Sequence, residues 1–232
     1  MNKLLLIIIT VTLTPMMTYA TSLNSRTPQV QSQLGPDFCQ KRVPNRNLRE
    51  RILSNDGTER LSFSNGTYGL FDGGVCWWHS RFQRNALYLA DYKPNEPKPT
   101  KEQARKIIKA LKDGDEIVSI PGYSNLSEFS RHYQDEIISS LETWQLYDGF
   151  VKQEWLTGIS GSTSSASDMS EQMTDIYDRI KNKNEIPFVM MQLEGFTSHS
   201  ALVADIRMTP FGYDLILVDS NYPSRRFTYN YT

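Results

Sequence analysis

The hydrophobic period of this chain changes once, near Asn184, and that change constrains the fold more than any other feature. Upstream, apolar residues recur at helical intervals. Trp77, Phe82, Ala86, Leu89 and Ala90 predict a helix over about residues 76–91, and Pro94, Pro97 and Pro99 mark the loop after it. Thr100-Lys-Glu-Gln103 is a capping-box pattern opening a second helix, with Ile107, Ile108 and Leu111 on one side and Gly114 near its end. Glu116 to Ile120 reads as a short strand ended by Pro121-Gly122. Asn125-Leu-Ser-Glu128 resembles another capping box, and Phe129, Tyr133, Ile137, Leu141, Trp144 and Tyr147 extend a helical region to about Trp155. Thr157 to Ser167 is a Gly/Ser-rich loop, followed by a helix over about Asp168 to Lys181. Downstream, Phe188–Leu193, Ser200–Ile206 and Tyr213–Val218 are strand-like runs, and Pro210-Phe-Gly212 turns the last two into a hairpin. Helices first and an antiparallel sheet afterwards predict an α+β fold.

The N-terminus carries Lys3 and then an apolar run from Leu4 to Leu13, with a small residue at Ala20. This is the pattern of a secretory signal peptide over residues 1–20, with Thr21 as the expected mature start. The run is too short for a membrane span, which needs about 20 apolar residues. The mature chain is expected outside the cytoplasm, secreted or periplasmic, with no stable membrane association. Residues 21–60 read as an N-terminal leader or pro-segment and 61–232 as the main domain. Loss of Lys3 takes the net charge from −1 to −2, and no basic stripe interleaved with aromatics appears, so nucleic acid is not an expected partner.

A glycine-rich loop, Asn65 to Gly74, leads directly into Cys76 at the expected start of a helix. A thiol nucleophile acts as thiolate, and a helix N-terminus favours that form because its unpaired backbone N–H groups present positive potential. A neighbouring imidazolium favours it further. His199 stands just before the strand Ser200–Ile206, and Asp219 ends the partner strand of the expected hairpin. A hairpin brings such positions close, so Asp219 is placed to orient the His199 ring. Asn221 is the alternative orienting residue.

Gly74-Val-Cys76-Trp77-Trp78-His79-Ser80 resembles the papain-type signature Gly-x-Cys-Trp-x-x-Ser, and His199 with Asp219-Ser-Asn-Tyr-Pro223 resembles the back half of the same superfamily. The Asp-x-Asn-aromatic ending is closest to secreted bacterial effector proteases of the YopT type. The resemblance implies a papain-like fold, with a helical lobe carrying Cys76 packed against a sheet lobe carrying His199 and Asp219. It implies a cysteine peptidase that cuts peptide or isopeptide bonds of a protein or peptide substrate between those lobes, without a cofactor. It rests on about thirty residues at two places. The chain departs from papain in lacking a Gln before the nucleophile: Leu70 occupies the nearest equivalent, leaving the Cys76 N–H and the more distant Asn65 as oxyanion donors.

Other readings stay open on sequence. Cys39 and Cys76 are the only cysteines, and an even pair in an oxidising compartment can form a disulfide. The chain would then be a non-catalytic binding protein on the same scaffold. An acyltransferase or deamidase would use the same trio. His79 reads as packing and His132 as a solvated helix residue, and three scattered histidines do not compose a zinc site.

Overall fold

Helix α2 (Cys76–Leu89) is the pivot of the computed structural model, which describes residues 38–54, 56–66, 75–147, 165–192 and 198–232, with the backbone alone at residues 39, 191, 192 and 198. Every residue from Trp78 to Leu89 is buried, polar ones included. Buried polar groups cost free energy unless paired. The helix meets that demand with long-range bonds: Arg84 Nε donates to the Ile186 carbonyl at 2.7 Å, Asn85 Nδ2 to that of Leu111 at 2.8 Å, and Gln83 Oε1 accepts from the Leu61 N–H at 3.0 Å. These bonds fix which segments surround α2 as well as how it sits.

The helix stops two residues earlier than its apolar spacing suggests. Ala90–Lys93 leave it as strand β1, which pairs in parallel with β2 (Val118–Pro121). Between them runs α3 (Lys101–Asp113), with both capping-box bonds of Thr100 and Gln103 present and Gly114 closing it in the left-handed region at φ 77°. The expected long helix from Asn125 is two helices, α4 (Leu126–His132) and α5 (Gln134–Tyr147). The ladder bonds on each side of Tyr133 survive, so the break is a kink. The Tyr133 side chain is buried at that point and its hydroxyl donates to the Pro99 carbonyl. At Asn125 only half the capping box forms, because Glu128 takes the Ser124 N–H instead. The stretch from 148 to Trp155 and most of the loop 157–167 lie outside the described residues.

Helix α6 (Ala166–Lys181) begins two residues before its expected start, capped by Ser165. The second half of the chain is the antiparallel sheet β3-β4-β5-β6, formed by Phe188–Gln192, Ser198–Thr209, Gly212–Asp219 and Arg226–Tyr231. Strand β4 is covered on both faces. Ala201, Val203 and Ile206 pack with Met173, Ile176 and Ile180 of α6. Leu202 and Ala204 join the cluster that contains α2. A strand buried on both sides reads as a continuous apolar run, which is how Ala201 to Ala204 reads. Sequence reading omits β6, an outer strand whose residues are all exposed or half-buried. Gly212 is required at the hairpin: a Cβ there would overlap the Tyr231 carbonyl oxygen of β6.

Described residues before Leu61 contribute to the core. Phe38 is buried against Tyr88 with ring centroids 5.0 Å apart, and α1 (Leu48–Leu53), capped by Asn47, buries Leu48 and Ile52. Among the described residues, six α-helices and one four-stranded antiparallel sheet compose an α+β fold. No helix among them is long and apolar enough to cross a membrane.

Candidate active site

Cys76 is the first residue of α2 and carries a free, half-buried thiol. Val75 caps that helix without a side-chain bond of its own. The Val75 N–H is held by Asn65 Oδ1 at 2.5 Å, ten residues upstream. The first-turn N–H groups beyond it have no intrahelical acceptor, as at any helix start.

His199 is the second residue of β4 and Asp219 the last of β5. Asp219 is registered opposite Ala201, so it stands diagonal to His199 on the same face of the pleat. The side chains meet there, His199 Nε2 donating to Asp219 Oδ1 at 2.7 Å. The Asn221 N–H donates to the same oxygen at 2.7 Å. Cys76 lies close enough to His199 to favour its protonated form. With Nε2 committed to Asp219, Nδ1 is the nitrogen left for sulfur. All three residues expected from sequence therefore converge, in the order Asp219, His199, Cys76.

The electrostatics follow from that order. The hydrogen bond to Asp219 and then the proximity of Cys76 raise the His199 pKa from 6.5 to about 9, against the opposing effect of burial. For Asp219, burial pushes the carboxyl up, yet the bonds from His199 and the Asn221 N–H outweigh it and hold the group below its ordinary range. The imidazole is thus kept protonated at neutral pH beside a thiol at a helix N-terminus. That arrangement can attack a carbonyl and return a proton to the leaving amine.

His79 has the opposite environment. It is fully buried, its Nε2 donates to the Phe63 carbonyl at 3.1 Å, and burial lowers its pKa to about 4. It packs edge-on against the Phe63 ring and is not a second base. His132 is exposed at the end of α4, against Tyr123 and Tyr133. Among the described residues no three His, Cys, Asp or Glu side chains gather as a metal site.

Sequence reasoning underrates Asn65. Besides holding Val75, its Nδ2 donates to Asn221 Oδ1 at 3.1 Å and its backbone N–H to the Ser220 carbonyl at 2.7 Å. It ties the segment before the glycine loop to the segment after Asp219. Asn221, the alternative orienting residue, is occupied by Asn65 while Asp219 holds the histidine. Two further serines escape a reading based on reactive groups. Ser80 Oγ and Ser220 Oγ, both buried, donate to the Ser200 carbonyl at 3.1 and 3.4 Å. They join α2, β4 and the end of β5 one residue beyond His199 and Asp219. The regular spacing of Ser80 behind Cys76 was the available signal; Ser220 has none. Comparison with protein-family models, with curated proteins and with solved structures found no match to this chain.

Proposed function

We propose that this chain is an exported, papain-like cysteine peptidase that hydrolyses peptide or isopeptide bonds of protein substrates. The observation that carries the proposal is the His199–Asp219 hydrogen bond with Cys76 near enough to act on the imidazole and its sulfur at the N-terminus of a buried helix. Cys76 sulfur attacks the carbonyl carbon and the leaving nitrogen takes the His199 proton, producing a thioester. Water then gives a proton to His199 and its oxygen displaces sulfur, releasing the acid. Asp219 keeps the imidazole oriented through both steps. The thiolate needs no metal or organic cofactor to act. The free thiol at Cys76 supports this reading over a Cys39–Cys76 disulfide on a non-catalytic binding scaffold.

Alkylation tests it directly. The protein is treated with iodoacetamide at about pH 6, well below the ordinary thiol pKa of about 8.5, and Cys76 is followed by peptide mass spectrometry. Fast labelling of Cys76 that collapses in His199→Ala, followed by cleavage of a peptide library that Cys76→Ala abolishes, supports the peptidase. Equal slow labelling in both proteins, or a Cys39–Cys76 linkage, overturns the catalytic reading. Acyl transfer or glutamine deamidation without cleavage overturns only the reaction type.

A further inference from the structure

A cavity of about 490 Å³ lies apart from the catalytic trio, lined by Arg42, Arg46, Arg49 and Lys181 together with the amides Asn45, Asn47 and Asn184. Its wall includes the loop before α1, α1 itself and the carboxyl end of α6. Asp205 of β4 sits beneath it, roughly 20 Å along the strand from His199 at about 3.3 Å per residue. Two of the four lining cations pair with this one buried carboxylate. Arg49 Nη2 reaches Asp205 at 2.8 Å and Lys181 Nζ at 2.7 Å. The whole chain carries a net charge of −1, so an excess of three positive charges around one cavity is a concentration and not an average.

Several donors in this cluster are not consumed by the fold. Among the described residues Arg42 makes one long bond, 3.4 Å to the Asn184 carbonyl. Arg49 Nε is buried and has no partner among the described residues. Burial holds Arg46 below its ordinary range, and its Nη1 and Nη2 already donate to the Leu87 and Ala90 carbonyls. The backbone is unusual at the same place. Asn45 and Asn184, at φ 59° and 52°, are the two non-glycine residues in the left-handed region among the described residues, and both line the cavity. The register of β4 shifts between Val203 and Asp205, a bulge that re-aims the Asp205 side chain. Conformations of this kind cost free energy and concentrate at binding sites.

We propose that this cavity is a binding site for a small multivalent oxyanion of the phosphate or pyrophosphate type. Guanidinium groups match tetrahedral oxyanions with paired N–H donors, and Lys181 supplies a point charge opposite them. The volume equals that of on the order of fifteen waters at about 30 Å³ each, room for a diphosphate and part of its hydration. The inference does not rest on the thiol chemistry: Cys76→Ala leaves the cavity intact and is expected to bind equally well.

Isothermal titration with sodium pyrophosphate, at ionic strength held constant with sodium chloride, tests it. Saturable 1:1 binding is expected. Arg42→Gln, which breaks no strong internal bond, is expected to weaken it roughly tenfold or more, Arg42→Lys less, and Lys106→Gln on exposed α3 not at all. A second measurement needs no variant: pyrophosphate is expected to protect Lys181, but not Lys106, from amine acetylation read by mass spectrometry. Absence of saturable binding, affinity unchanged in Arg42→Gln, or equal labelling of Lys181 with and without pyrophosphate overturns the proposal. So does binding of a poly-glutamate peptide where pyrophosphate does not bind, which would assign the cavity to an acidic polypeptide.

Discussion

Replacing Asp219 by Asn removes the largest cause of the raised His199 pKa while keeping the side chain's shape. The chain has three histidines, so imidazole carbon–proton NMR can follow each one separately. In the native protein His199 is expected to titrate at about 9 and His79 at about 4. In Asp219→Asn the His199 midpoint is expected to fall by at least one unit, about 1.4 kcal/mol of lost preference for the imidazolium. Cys76→Ala removes the second cause and is expected to lower it by less. The same shift makes a stability statement. A histidine whose folded pKa is raised stabilises the native state fully below its unfolded pKa of about 6.5, and that contribution disappears as pH climbs through about 9. The nominal shift is worth roughly 3 kcal/mol, and solvent screening at a half-open cleft reduces it to about 1–2 kcal/mol. Denaturant unfolding at several pH values is therefore expected to show the native protein losing about that much between pH 6.5 and pH 9 relative to Asp219→Asn. A His199 midpoint that stays within a few tenths of a unit in Asp219→Asn, or parallel stability curves, would refute the assignment of Asp219 as the group that holds the imidazole.

Asn65→Ala leaves the Val75 N–H and the Asn221 amide without their partner, and is expected to cost about 1–2 kcal/mol in urea unfolding and to slow Cys76 alkylation. Arg46→Met abandons the carbonyls of Leu87 and Ala90, bonded at 2.9 and 2.6 Å where α2 passes into β1, and is expected to cost about 2–3 kcal/mol by the same assay. Gly212→Ala forces the hairpin away from Tyr231, and a loss of about 1–3 kcal/mol in thermal unfolding is expected. A chain beginning at Leu61 lacks the buried Phe38, Leu48 and Ile52 and is expected to show no cooperative unfolding transition by circular dichroism, whereas one beginning at Phe38 folds.

Elements with a single dominant period were legible before any coordinates. The capping box at Thr100, the αL glycine at 114 and the β4–β5 hairpin each follow from a local rule, and local rules can be read locally. The meeting of His199 with Asp219 was legible because a hairpin brings such positions close, and the place of Cys76 because it opens an apolar helical period. Strand β1 was not, since Ala86, Leu89 and Ala90 satisfy a helical period and the parallel partner Val118–Pro121 lies far along the chain. Nor was β6, whose surroundings leave it half-exposed with little hydrophobic signal. The basic cavity was illegible for another reason: Arg42 and Arg49 lie on one stretch and Lys181 on another about 130 residues away, and the charges of a nearly neutral chain give no hint that they meet.

The serine of the Cys-Trp-x-x-Ser pattern shows how a signature becomes a physical requirement. Cys76 and His199 lie on elements from opposite halves of the chain, so their separation depends on how α2 seats against β4. One turn after Cys76, Ser80 donates to the Ser200 carbonyl, and Ser220 donates to the same oxygen from the residue following Asp219. One acceptor adjacent to His199 thus receives bonds from the helix that begins at Cys76 and from the strand end at Asp219. The Asn65 N–H closes the arrangement by binding the Ser220 carbonyl, while its Oδ1 holds the cap of α2. Each bond alone is worth about 1 kcal/mol net, far less than the apolar contacts that bury α2. Their value is directional: apolar packing tolerates a slide along the helix axis, whereas these hydrogen bonds weaken steeply once donor and acceptor are misaligned. The precision of the trio therefore resides in the small polar residues behind it, and the hydrophobic core supplies the stability that lets them act.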